Sequence, residues 1–280
     1  MGVTVGMSDT NAGGRLPVAL APLSVGRPEP SGLIKAATAG EFSGVGMTLR
    51  TPEGNWQEWC HDSGAVANVK AELLGNQLSP LDVGIVTLDP ATDLDAVRKL
   101  AGLAAGLGAS RLVLMCRDPD FDRSVRQLRL IGDIAAGSGL RVGVEFMPYT
   151  AARDLPYAVR LVEAAGHPNA GVLFDMFQHI RSGGETSDLT PAVTSKFVLV
   201  QLCDGVLASP PPDMLRQEAL TDRRYPGEGE FPLAEIMSRI PRDIPVTVET
   251  PCQRYASLPL AEQGAALGRA TRLTLARLGR

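Results

Sequence analysis

A rhythm constrains this chain more than any single motif. Eight short apolar runs recur along it, each followed by a stretch with helical spacing. The runs do not alternate apolar with polar residues, so both faces of each strand need cover. That is the pattern of parallel strands flanked by helices. Strands are expected in LPVALAPLSV, GVGMTLR, PLDVGIVTL, SRLVLMC, RVGVEFM, AGVLFDM, FVLVQLCD and PVTVET. The clearest helix is TDLDAVRKLAGLAAGLG, with Thr92 or Asp93 as its N-cap, and the faintest is the sixth, expected within SDLTPAVTSK. A long Pro-rich loop should separate the seventh strand from the helix FPLAEIMSRIP. Eight strand–helix units predict an α/β fold, a single-domain (β/α)₈ barrel over residues 16–280 behind a disordered tail of residues 1–15. A doubly wound open sheet is the competing architecture. It needs a G-x-G-x-x-G turn after the first strand, and PLSVGRPEPSG lacks that spacing.

Composition narrows the function classes. A chain of 280 residues with 44% hydrophobic and 21% charged residues has the material for one large core. Its net charge of −4 offers no basic excess for nucleic acid. No apolar stretch reaches the roughly 18–20 residues that cross a bilayer, so no membrane partner is expected. The first fifteen residues lack a charged-then-apolar leader pattern, and Cys60, Cys116, Cys203 and Cys252 are scattered without a CxxC pair. Both features lead to a cytoplasmic expectation.

In a parallel barrel, residues at the C-terminal ends of the strands share one rim, where barrel enzymes keep their active sites. Four successive strands here end in an oxygen-bearing side chain: Glu145, Asp175, Gln201 and Glu249. Any one alone could be a solvated strand end or a helix cap. Together they form a hard-oxygen set suited to Mg²⁺ or Mn²⁺.

The segments VEF, LFDMFQHIRSGG, VQLCDG, RRYPGEGEF and VETP, in this order, resemble the xylose-isomerase-like sugar phosphate isomerase/epimerase barrels. The resemblance is specific from Arg141 to Pro251. It implies that Glu145, Asp175, Gln201 and Glu249 bind one divalent metal ion, Mn²⁺ first, with Mg²⁺, Co²⁺ or Zn²⁺ as alternatives. It further implies proton abstraction next to a carbonyl, through a metal-stabilised enediolate, with Glu145 and Glu249 as acid and base on opposite faces of a sugar, keto-sugar or related polyol. The chain departs from the family at two positions. Gln178, followed by His179, stands where a His is common. Met147 stands where dehydroshikimate dehydratases tend to carry His, which weakens a lyase reading.

Further candidates to contact the substrate are Gln178, His179, Arg181, Arg223 (rather than Arg224), Arg50 at the end of the second strand, and Trp56. Trp56, Trp59 and His61 either wall a ring-shaped substrate or pack their own loop. Asp204 is a candidate to orient a neighbouring group, Glu228 a structural residue, and His167 lies at the opposite end from the site. The expected function is a metal-dependent isomerase or epimerase. A dehydratase of the dehydroshikimate or inosose type, or a non-catalytic barrel, is the alternative. The expected partner is a small sugar-like molecule, with a homo-oligomer in keeping with the family.

Overall fold

The computed structural model describes residues 18–280. The expected tail, and the first residues of the expected first strand, lie outside the described residues. Eight parallel strands close into a barrel in sequence order: β1 (Val18–Leu20), β2 (Gly44–Thr48), β3 (Ser79–Leu88), β4 (Arg111–Cys116), β5 (Arg141–Glu145), β6 (Ala170–Asp175), β7 (Phe197–Leu202) and β8 (Val246–Val248). The helices of the outer layer are α1 (Pro30–Ala39), α2 (Ser63–Gly75), α3 (Leu94–Leu107), α4 (Phe121–Gly137), α5 (Leu155–Ala165), α6 (Met176–Arg181), α7 (Pro191–Thr194), α8 (Leu215–Thr221), α9 (Leu233–Arg239) and α10 (Leu260–Arg277).

Local chemistry sets many of these boundaries. Asp62, Asp93, Asp120, Asp154 and Asp175 each precede a helix and accept a hydrogen bond from a first-turn amide. At the far ends of α3 and α5, Gly108 and Gly166 adopt left-handed backbone, as helix-terminating glycines do. The first strand is shorter than expected, because Pro22 opens a 3₁₀ turn over Pro22–Val25. In the sixth unit the helix starts immediately after β6, so α6 precedes SDLTPAVTSK, which supplies only the single turn of α7. The Pro-rich loop after β7 contains an unexpected helix, α8.

The core has two layers. The larger lies between the strands and the helices. The smaller fills the barrel interior with Ala19, Leu81, Val113, Leu173 and Leu199, each at most 6% exposed. Glycine makes room for this filling: a Cβ on Gly171 would come within 2.2 Å of Val198. Above this plug the barrel opens at its C-terminal end.

Candidate active site

Side chains two residues apart on a strand point the same way, so inward residues at successive strand ends converge on one rim. Glu145, Asp175 and Glu249 each bring an oxygen within 4.8 Å of the others. Gln201 stands beside Asp175 in the β6–β7 register, and its buried amide oxygen has no hydrogen-bond partner. Three crowded carboxylates repel one another, and the amide oxygen beside them is left without a donor. These hard donors fit a divalent ion.

Arg223 supplies part of the missing charge. Its Nη1 donates to Asp175 Oδ2 at 2.9 Å and to the Glu249 carbonyl at 3.1 Å, and its Nη2 lies 3.2 Å from Glu249 Oε2. Nε donates to the Ala219 carbonyl, and the residue is only 1% exposed. Burial alone lowers the guanidinium pKa, but Asp175 and Glu249 more than offset this and hold it above its ordinary value. One arginine does not neutralise three acids. Burial, then the charges of Glu249 and Asp175, push the Glu145 carboxyl well above the usual carboxylate range. Burial pushes Glu249 up to about 7, with Arg223 pulling down and Asp175 pushing up. Below them, inside the barrel, Asp82 accepts from Thr247 Oγ1 at 2.6 Å and adds its own charge to both glutamates.

The rim opens into a cavity of about 550 Å³ bordered by Glu145, Glu249, Arg223 and Gln178. Gln178 donates its amide N–H to the Tyr149 hydroxyl at 3.0 Å, and its own Oε1 is buried without a partner. Tyr149 also lines the cavity, and its phenol is pushed up, first by burial and then by Glu145. Met47, Met115, Met147, Ile85 and Trp59 form an apolar side.

Four expected substrate contacts are corrected by the geometry. His179 is fully buried on the opposite side of α6, packed against Phe174 and Phe146, with Nε2 3.1 Å from the Glu185 carbonyl. Arg181 pairs with both carboxylate oxygens of Glu218 at 2.7 Å and with the Val206 carbonyl, so it anchors the segment after β7. Arg50 donates to the Gly54 carbonyl and pairs its backbone with Trp56, closing their own loop. Trp56 lies beneath the Lys99 ammonium, 4.5 Å from its ring centre, and Trp59 takes the cavity-lining place instead. His61 does not line the cavity either.

The neighbouring group that Asp204 orients is backbone. Its carboxylate accepts from the amides of Gly205, Gly227, Gly229 and Phe231 and so fixes the PGEG turn. Glu228 accepts from the Tyr255 hydroxyl, and His167 sits against Gly132 and Asp133 of α4. The sequence reading passed over Tyr149, Asp82, Arg27, Arg117 and Arg216. Arg117 had a legible signal, because it directly follows the fourth apolar run, as Glu249 follows the eighth.

A family model described as "Xylose isomerase-like TIM barrel" matches residues 35–271. A 3-dehydroshikimate dehydratase from Pseudomonas putida is 30% identical over 155 residues, covering 53% of this chain and 24% of that protein. An inosose isomerase from Halalkalibacterium halodurans is 31% identical over 116 residues, covering 41% of this chain and 39% of that one. The chain thus matches well under half the length of these curated relatives. Among solved structures, the IOLI protein with a bound zinc atom superposes with a TM-score of 0.79 at 17% identity, over 94% of this chain and 99% of that one. A D-allulose 3-epimerase from Methylomonas sp., in complex with D-allulose, gives 0.69 at 16% identity, over 94% and 97%. At these identities the structural likeness speaks for the fold alone.

Proposed function

Because the chain belongs to the xylose isomerase-like TIM-barrel family, we propose that it is a divalent-metal-dependent enzyme that moves a proton at a carbon next to a carbonyl in a small polyhydroxylated substrate, as an isomerase or epimerase. The observation that carries this reading is the convergence of Glu145, Asp175 and Glu249 within 4.8 Å beside the unpartnered Gln201 oxygen. These four residues would hold the ion, which supplies positive charge where the carbonyl oxygen becomes more negative. The relatives named as an isomerase and a dehydratase, and the zinc-bound structure on the same fold, support this reading.

Glu145 and Glu249 stand on strands separated by two others, so they reach a substrate from different sides. Both are pushed up by burial, and Glu249 titrates at about 7. Carboxylates raised toward neutrality can accept and return a proton, so the pair can divide acid and base work. Gln178 and Tyr149 offer an amide and a phenol to substrate hydroxyls along the cavity edge.

Elimination of a β-hydroxyl is the second reading, favoured by the relative named 3-dehydroshikimate dehydratase. Met147, which borders the cavity at the position where such enzymes tend to carry His, favours the first. The test is NMR of the Mn²⁺-loaded protein with 2-keto and 3-keto sugars in deuterated buffer. Deuterium uptake without loss of water marks isomerisation, and loss of water marks elimination. Glu145→Gln and Glu249→Gln should each slow exchange by roughly 10²–10⁴-fold. Undiminished exchange in both variants would refute their acid–base role.

A further inference from the structure

The carboxylate floor and Arg223 leave three arginines of the same cavity unexplained. Arg27 follows the 3₁₀ turn after β1, Arg117 is the first residue past β4, and Arg216 belongs to α8, yet all three line the one cavity. All three are exposed, and among the described residues none has a carboxylate within ion-pair distance. The other arginines nearby are occupied: Arg223 by Asp175 and Glu249, Arg181 by Glu218, and Arg224 by Asp222. Glu29 and Glu53 line the same cavity, so away from the carboxylate floor three guanidiniums stand against two carboxylates, in a chain that as a whole carries −4.

They reach the one cavity from three separate parts of the chain. Arg117 and Arg216 both act on Glu53 at the mouth, adding to the hydrogen bond from its own backbone that lowers its pKa most. Arg27 also holds a backbone φ of +53°, directly after Gly26 at +78°. Left-handed backbone favours glycine, so Arg27 stands here against local preference. Guanidinium groups from separate elements match the planar, multi-oxygen face of a carboxylate or phosphate far better than they match neutral hydroxyls.

We propose that the substrate is an anion, a small polyhydroxylated molecule whose carboxylate or phosphate group is drawn by the Arg27, Arg117 and Arg216 guanidiniums lining the cavity. This rests on the function proposed above, which assigns the carbonyl end of the same molecule to the carboxylate floor. The cavity volume of about 550 Å³ accommodates a molecule with both groups. The apolar side formed by Met115 and Trp59 would lie along its carbon skeleton.

The test is calorimetric titration of the Mn²⁺-loaded full chain with three probes: quinate (a ring carboxylate), glucose 6-phosphate and neutral myo-inositol. The same titrations are run on an Arg27→Gly/Arg117→Ala/Arg216→Ala variant, in which glycine suits the left-handed backbone at position 27. At least one anion should bind roughly tenfold or more tightly than myo-inositol, with an affinity that falls as salt rises. The preferred anion identifies the group as carboxylate or phosphate. In the variant the preference should vanish while myo-inositol binding stays unchanged. Arg216→Glu, on an exposed helical position, repeats the reading if the triple variant does not fold. No preference in the parent, or a preference that survives in the variants, would overturn the proposal. A separate Mn²⁺ titration keeps the two readings apart. Failure to bind Mn²⁺ strikes the metal-dependent function, while anion preference measured in EDTA bears on the arginines alone.

Discussion

Replacing Arg223 by Met tests whether the site is held together by charge or only by packing. The guanidinium is 2% exposed and contacts a fully buried Asp175 at 2.9 Å and Glu249 at 3.2 Å. Methionine keeps much of the volume but leaves buried acids without their cation. Breaking a buried pair in this way costs about 3–5 kcal/mol. In a domain of this size that is a fall in Tm of roughly 10 °C. The loss should depend on pH. Glu145 and Glu249 already sit above their unfolded values, so the stability they contribute is present at low pH and lost as pH rises through the folded values, about 7 for Glu249. Arg223 lowers both, so without it they rise further and the deficit grows between about pH 5 and pH 8. Divalent metal should narrow the deficit by neutralising the same acids, on top of the roughly 2.7 kcal/mol that any ligand at a hundred times its Kd contributes. The assay is calorimetric melting at both pH values, with Mn²⁺ and with EDTA. An equal Tm loss in all four conditions would mean that Arg223 only fills space.

Other outcomes follow from the same geometry. Mn²⁺ affinity should rise about fivefold or more from pH 6 to pH 7, because the ion must displace the proton that Glu249 holds up to about 7, and titration at the two values measures it. Gln201→His should keep Mn²⁺ while Gln201→Leu weakens it, because the buried amide oxygen has no other partner; equal affinity in the Leu variant would reduce the set to three carboxylates. Asp204→Ala strands four backbone amides, so hydrogen exchange at Gly227, Gly229 and Phe231 should accelerate and stability should fall by about 2–4 kcal/mol; unchanged protection would refute the anchoring role.

The fold was legible because buried parallel strands leave an unambiguous apolar run, and the shared C-terminal ends of those runs gave the rim. That rule put Glu145, Asp175, Gln201 and Glu249 together without any long-range information. The same rule failed just past Asp175, because the chain there turns helical and parity no longer governs direction. Gln178 meets the cavity, while the next residue, His179, is carried round to Phe146 and Phe174. Arg181 and Glu218 lie 37 residues apart, and no local pattern announces that pairing. In α8 the run of prolines before it hid the helix-forming LRQEALT. Trp56 and Trp59 differ only in which loop contacts claim them, which a sequence of scattered aromatics does not encode.

The segment between β7 and the PGEG turn begins and ends at one place. The backbones of Asp204 and Arg224 exchange hydrogen bonds in both directions, at 3.0 and 2.8 Å, and the Asp204 carboxylate clamps the turn beyond. Residues 206–221 therefore form a cassette whose two ends are spliced together on the rigid barrel. Their length and content can change without shifting Arg223 as long as the Ala219 carbonyl that receives its Nε is kept, because its backbone is tethered outside the cassette through the Pro251 carbonyl. Arg216 travels within the cassette. Exchanging this stretch among related barrels would be a direct way to retune what the cavity accepts while leaving its floor intact.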